Sequence, residues 1–212
     1  MPLELWLAYV ATSSVVLAIP GPTILLVLSY SIAHGRQATL PVVIGVALGD
    51  SVAITLSLIG LGTLLATSAF WFTIIKWIGG CYLIYLGIAL LRGAGKAIPE
   101  QAQQARTSTP RKLFGNAFIV TALNPKSIVF FIALLPQFIS AEHPVTAQLW
   151  ILGVTFVVLA TIGATSYAVF ATSIRRWLAS PRAQKAYSVI GGGLLLGAGV
   201  WALGAKRVIS AT

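Results

Sequence analysis

Leu17-Ala18-Ile19-Pro20-Gly21-Pro22-Thr23-Ile24-Leu25 decides how this chain is read, because two prolines flank a glycine inside an apolar stretch long enough to cross a bilayer. Proline has no N–H to donate and its ring crowds the carbonyl four residues back, so Pro20 and Pro22 release the carbonyls of Val16 and Ala18 from helical bonding. Asn124-Pro125-Lys126 breaks a second such stretch, and Pro125 releases the carbonyl of Thr121. Inside hydrocarbon those oxygens need partners, and non-helical backbone at that depth is tolerated only where it packs in protein or lines a cavity. Paired breaks at matching places in two halves of a chain are a sequence pointer to a central solute site.

Working outward, the 212 residues are 58% hydrophobic and only 8% charged, with a mean hydropathy of +0.92. Soluble domains carry roughly 25% charged residues, so the composition is that of an integral membrane protein. Six stretches approach the roughly 20 apolar residues a spanning helix needs, at 3–32, 40–66, 70–91, 114–138, 145–172 and 187–203. The polar, Pro- and Gly-containing segment 92–113 reads as a cytoplasmic linker between a first three-helix unit, 1–91, and a second, 114–212. The N-terminus has Glu4, no Lys or Arg before Arg36, and an apolar run too long for a signal peptide, so the first segment is expected to be retained.

Ten Lys and Arg residues fall in segments near 33–39, 92–113 and 173–186, against only Lys206 and Arg207 on the opposite side. The positive-inside rule puts the richer face in the cytoplasm and both termini in the periplasm. Were the broken first segment not to cross fully, five spans would remain and the N-terminus would move inside. The net charge of +10 is dispersed among these segments, which is a topology signal and not a nucleic-acid surface. One cysteine, Cys81, can form neither an intramolecular disulfide nor a metal cluster, and no metal or cofactor is expected.

Three short matches recur in the same order in the two halves. Pro20-Gly21-Pro22 aligns with Asn124-Pro125-Lys126, Ile44-Gly45-Val46 with Leu152-Gly153-Val154, and Ile78-Gly79-Gly80 with Ile190-Gly191-Gly192. Three spans per half is an odd number, so the halves would lie in opposite orientations. The expected fold is therefore all-α and membrane-integral, with six transmembrane helices in two inverted three-helix repeats whose first and fourth helices are broken. The glycines, Gly45 and Gly49 among them, suit close helix packing, and Gly49 also adjoins Asp50.

Asp50 and Lys126 lie deep in the second and fourth stretches. A bare Asp or Lys there costs roughly 2.5–3.5 kcal/mol on insertion scales, so each needs a partner, a cavity or a proton. A structural ion pair between the two is the plainest alternative to a functional role, whereas Lys76 is expected to snorkel to the outer interface. Counted from the cytoplasmic flank at 1.5 Å per residue, both breaks and both charges fall about 16–20 Å in, near the bilayer midplane. Half-helix N–H groups suit a carboxylate and freed carbonyls suit an ammonium group, the two ends of an amino acid.

Pro20-Gly21-Pro22, Leu25-Leu26-Val27-Leu28-Ser29, His34-Gly35-Arg36, Gly45-Val46-Ala47-Leu48-Gly49-Asp50, Asn124-Pro125-Lys126 and Leu135-Pro136-Gln137-Phe138, taken in order, resemble the LysE/RhtB family of amino-acid exporters. The resemblance implies a multi-pass protein of the bacterial inner membrane that exports amino acids on the proton motive force. It carries over Pro20, Gly21, Pro22, Gly49, Asp50, Asn124, Pro125 and Lys126 as the substrate and proton pathway. The same superfamily holds thiol-disulfide electron carriers, but these need two membrane cysteines and only Cys81 is present.

The expected mechanism is alternating access with Asp50 cycling between protonated and ionised states, and Lys126 as its counter-charge or as a carboxylate ligand. With one acid at depth beside one base, a neutral or hydroxylated amino acid of the homoserine, threonine or leucine type is favoured over lysine or arginine. The expected partners are the substrate, protons and the lipid bilayer, with no nucleic acid; a homo-oligomer is left open. Rival readings are efflux of another small solute or a cation, and a non-transporting membrane assembly subunit. An enzyme is not expected, because no nucleophile, base and orienting group assemble in a recognisable spacing.

Overall fold

In the computed structural model, residues 1–19, 21–67, 69–92, 109–140, 142–178 and 180–204 are described. Pro20, most of the expected linker, and Lys206 and Arg207 lie outside the described residues, as do the side chains of Lys76, Arg175 and Arg176. Helices account for nearly all of the described chain, and no strand occurs among those residues.

The first apolar stretch forms two helices, α1 (Leu3–Ala18) and α2 (Pro22–His34), bent by 55° at the break. Pro22 opens α2, where its missing N–H removes no helical bond. Gly35 then turns the chain at a φ of 62°, a left-handed value that favours glycine, and α3 (Arg36–Thr67) begins at once. His34 is the last residue of α2. Next comes α4 (Ala69–Leu91).

The fourth stretch also divides, into α5 (Pro110–Ala122) and α6 (Pro125–Ala133), followed by a 3-10 turn over Leu135–Phe138 that Pro136 helps to end the helix with. Gln148 fastens the loop that follows, accepting from Ser140 N at 2.9 Å and donating to Ser140 O at 2.8 Å. Then α7 (Val145–Val169) and the short α8 (Ala171–Leu178) occupy a region expected partly as loop, and α9 (Pro181–Gly204) closes the described chain.

Among the described residues three helical segments, 36–60, 110–132 and 145–169, are long and apolar enough to cross a membrane by themselves, and the bent α1–α2 pair counts as a fourth where the two helices form one broken span. Shorter apolar runs occupy α4 (Trp77–Leu91) and α9 (Ser188–Trp201). Leu40, Leu56, Ile78, Leu123, Trp150, Ile190 and Val200 are all exposed, a density of outward apolar side chains that water would penalise and lipid accepts. The interior is built on Tyr9, Phe130, Phe131, Phe138, Leu152 and Phe156. Phe131 and Phe156 meet edge-on with centroids 4.6 Å apart.

Pairwise contacts fix helix directions. Trp6 Nε1 donates to Thr155 Oγ1 at 3.1 Å and Tyr167 OH to Ala18 O at 2.7 Å, so α1 and α7 run parallel and in step. Gly45 and Gly49 press on α5, where an added Cβ would meet Phe114 O at 2.6 Å and Phe118 O at 2.8 Å respectively, so α3 and α5 are also parallel. Against these, α4 and α9 are antiparallel: Gly87 faces Gly192 and Gly80 faces Gly199, backbone against backbone.

Candidate functional site

The two breaks meet. Asn124 caps α6 by accepting from Lys126 N at 3.1 Å, and its amide donates to Thr23 Oγ1 at 3.1 Å in the first turn of α2. Thr121 donates to the same hydroxyl at 3.3 Å. Thr23 thus ties the start of α2 to both sides of the second interruption. Thr23, Thr121, Asn124, Lys126 and Ser127 are all buried, so this is a polar cluster enclosed in an apolar molecule.

Each of the three carbonyls freed at the two breaks, those of Val16, Ala18 and Thr121, has found a donor. Lys126 Nζ donates to Val16 O at 3.0 Å and to Ile19 O at 2.6 Å, Tyr167 OH to Ala18 O, and Asn124 N to Thr121 O at 3.0 Å. These satisfy backbone that lipid could not. The amine lies at the C-terminal end of α1, where the helix dipole concentrates negative charge. Gly21 lies against it, since a Cβ there would rest at 3.4 Å from Lys126 Cε and Nζ, in ordinary contact. No side chain caps the N-terminus of α2, so its first N–H groups have no intrahelical acceptor beside that cluster.

Asp50 follows Gly49 on α3 and is 3% exposed. Its charge and that of Lys126 act on each other, yet the two form no direct ion pair, and among the described residues the carboxyl of Asp50 makes no hydrogen bond. The structural ion pair considered from sequence is therefore not the arrangement found: the lysine is drawn to backbone carbonyls instead. The close approach of Gly49 to Phe118 O and Thr121 Cβ gives that glycine a packing reason of its own.

Of the sequence candidates, Gly21, Pro22, Asn124, Pro125 and Lys126 converge at the two breaks, with Asp50 on the neighbouring helix. Sequence reasoning missed Thr23 and Tyr167. Thr23 adjoins Pro22 and was open to notice, but nothing local marks Tyr167 among the residues of α7. Beside Tyr167 an apolar groove of about 590 Å³ runs between α1 and α7, lined by Leu17, Leu159, Ile162 and Phe170. Among the described residues no three His, Cys, Asp or Glu side chains gather as metal ligands.

The family pattern of LysE type translocators matches residues 14–205. The chain belongs to the LysE type translocator family. Among its relatives, a homoserine/homoserine lactone efflux protein of Salmonella typhimurium is 39% identical over 196 residues, covering 92% of this chain and 94% of the relative. The Salmonella typhi protein of the same name is likewise 39% identical over 196 residues. An uncharacterized membrane protein of Vibrio cholerae is 34% identical over 211 residues, 97% of this chain and all of the relative. No solved structure matches the chain. Both breaks, Asp50 and the Lys126 contacts fall inside the segment that matches the family.

Proposed function

We propose that this protein exports neutral or hydroxylated amino acids, homoserine foremost, across the bacterial inner membrane by alternating access driven by the proton motive force. The observation that carries the reading is the meeting of two interrupted helices at a buried polar point, joined by Asn124 to Thr23 and by Lys126 to Val16 and Ile19. Carbonyls at the end of α1 suit an ammonium group, and uncapped N–H groups at the start of α2 suit a carboxylate. The names of the Salmonella relatives supply the substrate class. Asp50 is the proton carrier in this reading, and Pro20, Gly21, Pro22, Gly49, Asn124, Pro125 and Lys126 shape the path around it.

The architecture proposed with it is six spans in two inverted repeats. Support comes from the α4–α9 seam. In the sequence alignment of the halves Gly80 corresponds to Gly192, and seven residues on Gly87 corresponds to Gly199. The contacts pair Gly80 with Gly199 and Gly87 with Gly192, which is the reciprocal pattern a twofold axis in the membrane plane generates. The parallel pairs α1–α7 and α3–α5 are exchanged by the same axis. Loop charge then sets both termini in the periplasm.

Proteoliposomes loaded with radiolabelled homoserine test the function. An imposed proton gradient should drive efflux from vesicles holding the parent protein and not from vesicles holding Asp50→Asn, which should insert and fold normally. Gradient-driven efflux by Asp50→Asn at the parent rate would remove Asp50 from the mechanism.

A further inference from the structure

We propose that Lys126 is a tethered stand-in for the substrate: its side-chain ammonium occupies the cage where the amino group of the exported amino acid binds, and the substrate must evict it. This rests on the amino-acid export reading above. Two carbonyl oxygens, Val16 O and Ile19 O, receive the Lys126 ammonium at the negative end of α1. An α-ammonium group has the same charge and the same three donors, so it can make the same two bonds and direct its third elsewhere. The adjoining α2 N-terminus lies where the carboxylate of such a ligand would follow.

What the lysine leaves undone is the second observation. Asp50 is only 3% exposed, on the helix beside the breaks, yet it forms no ion pair with Lys126. Among the described residues His34, Arg111 and Lys112 form no ion pair with the Asp50 carboxyl, and Tyr30, Tyr82 and Tyr167 make no hydrogen bond to it. Leaving a buried carboxylate ionised without a partner is costly, so in this proposal Asp50 holds its proton while the amine is in the cage. Evicted, the amine swings on its flexible four-carbon stem to Asp50. The carboxyl then releases its proton to water on the open side and pairs with the ammonium. The balance is complete: one zwitterion enters, one proton leaves, no covalent bond other than the O–H changes. Uptake of substrate from the cytoplasm is thereby tied to proton release on that side, the stoichiometry of an antiporter.

Purified protein in nanodiscs tests this on three readouts. The parent protein should release about one proton per homoserine bound, and Asp50→Asn none. Lys126→Met, which removes the competitor but keeps the stem, should bind homoserine at least about tenfold more tightly, the factor expected if the amine fills the cage nine-tenths of the time. Lys126→Ala should gain thermal stability from ethylammonium chloride and not from sodium chloride at equal ionic strength. Unaltered homoserine affinity in Lys126→Met, or homoserine binding by the parent without proton release, overturns the proposal. If homoserine binds no variant while ethylammonium still protects Lys126→Ala, the cage stands and the choice of substrate falls. If ethylammonium protects neither variant nor parent, the cage itself is wrong.

Discussion

Replacing Gly87 or Gly192 by alanine tests the α4–α9 seam at its closest point. A Cβ on Gly87 would sit 2.8 Å from Gly192 O, and one on Gly192 would sit 2.8 Å from Gly87 O. Carbon and carbonyl oxygen settle at about 3.3 Å or more, so either methyl forces the helices apart by roughly 0.5 Å. Overpacking of that kind costs about 1–3 kcal/mol. The two substitutions press on the same gap. Once the helices have parted for one methyl, the second finds the space already open, so the double variant should lose about 1 kcal/mol less than the sum of the singles. Gly193, one residue along α9, has nothing within 4 Å of its virtual Cβ. Gly193→Ala should therefore be neutral or stabilise by up to about 1 kcal/mol through helix propensity. Reversible unfolding in mixed micelles, with titration of a denaturing detergent, reads all four free energies. Equal damage from Gly193→Ala and Gly192→Ala, or strict additivity of Gly87→Ala with Gly192→Ala, would refute the seam.

Other consequences are open to the same assays. Asn124→Ala removes both the cap of α6 and the link to Thr23, and should cost about 1–2 kcal/mol in unfolding and slow homoserine efflux, whereas Asn124→Asp keeps the cap and should lose less stability. Tyr167→Phe strips the donor from Ala18 O, a loss of about 0.6–1.7 kcal/mol in a membrane protein, visible as a lower midpoint in the same titration. Gly21→Val would drive branched methyls into Lys126 Nζ; efflux should fall sharply while the far-ultraviolet circular dichroism spectrum stays helical. Full efflux in that variant would count against the placement of the amine.

The breaks were legible because proline chemistry is local. Pro22 and Pro125 announce which carbonyls lose their donors, and α2 and α6 begin at those residues. The donors were not legible, since Lys126 and Tyr167 lie 110 and 149 residues from the oxygens they satisfy. Lys126 was visibly out of place in an apolar stretch, but sequence alone offered Asp50 as its natural partner, and the nearer carbonyls won. Helix faces were equally hidden. In a soluble helix polar residues mark the outer side, but along α7 both lipid-facing Val154 and core-facing Phe156 are apolar, so no period separates them. Where one stretch breaks into α7 and α8, no proline or glycine intervenes, and the sequence gives no local warning.

The two rivets between α1 and α7, Trp6 to Thr155 near one end and Tyr167 to Ala18 at the other, limit how this molecule can move. Pinned twice along its length, α1 cannot slide or roll on its companion without losing a bond. Gly45 and Gly49 clamp α3 to α5 in the same manner. Displacement is thus channelled into the short non-helical joints at Ile19, Gly21 and 123–124, and a passing solute would be handled by two stiff planks flexing about the very spot that grips it.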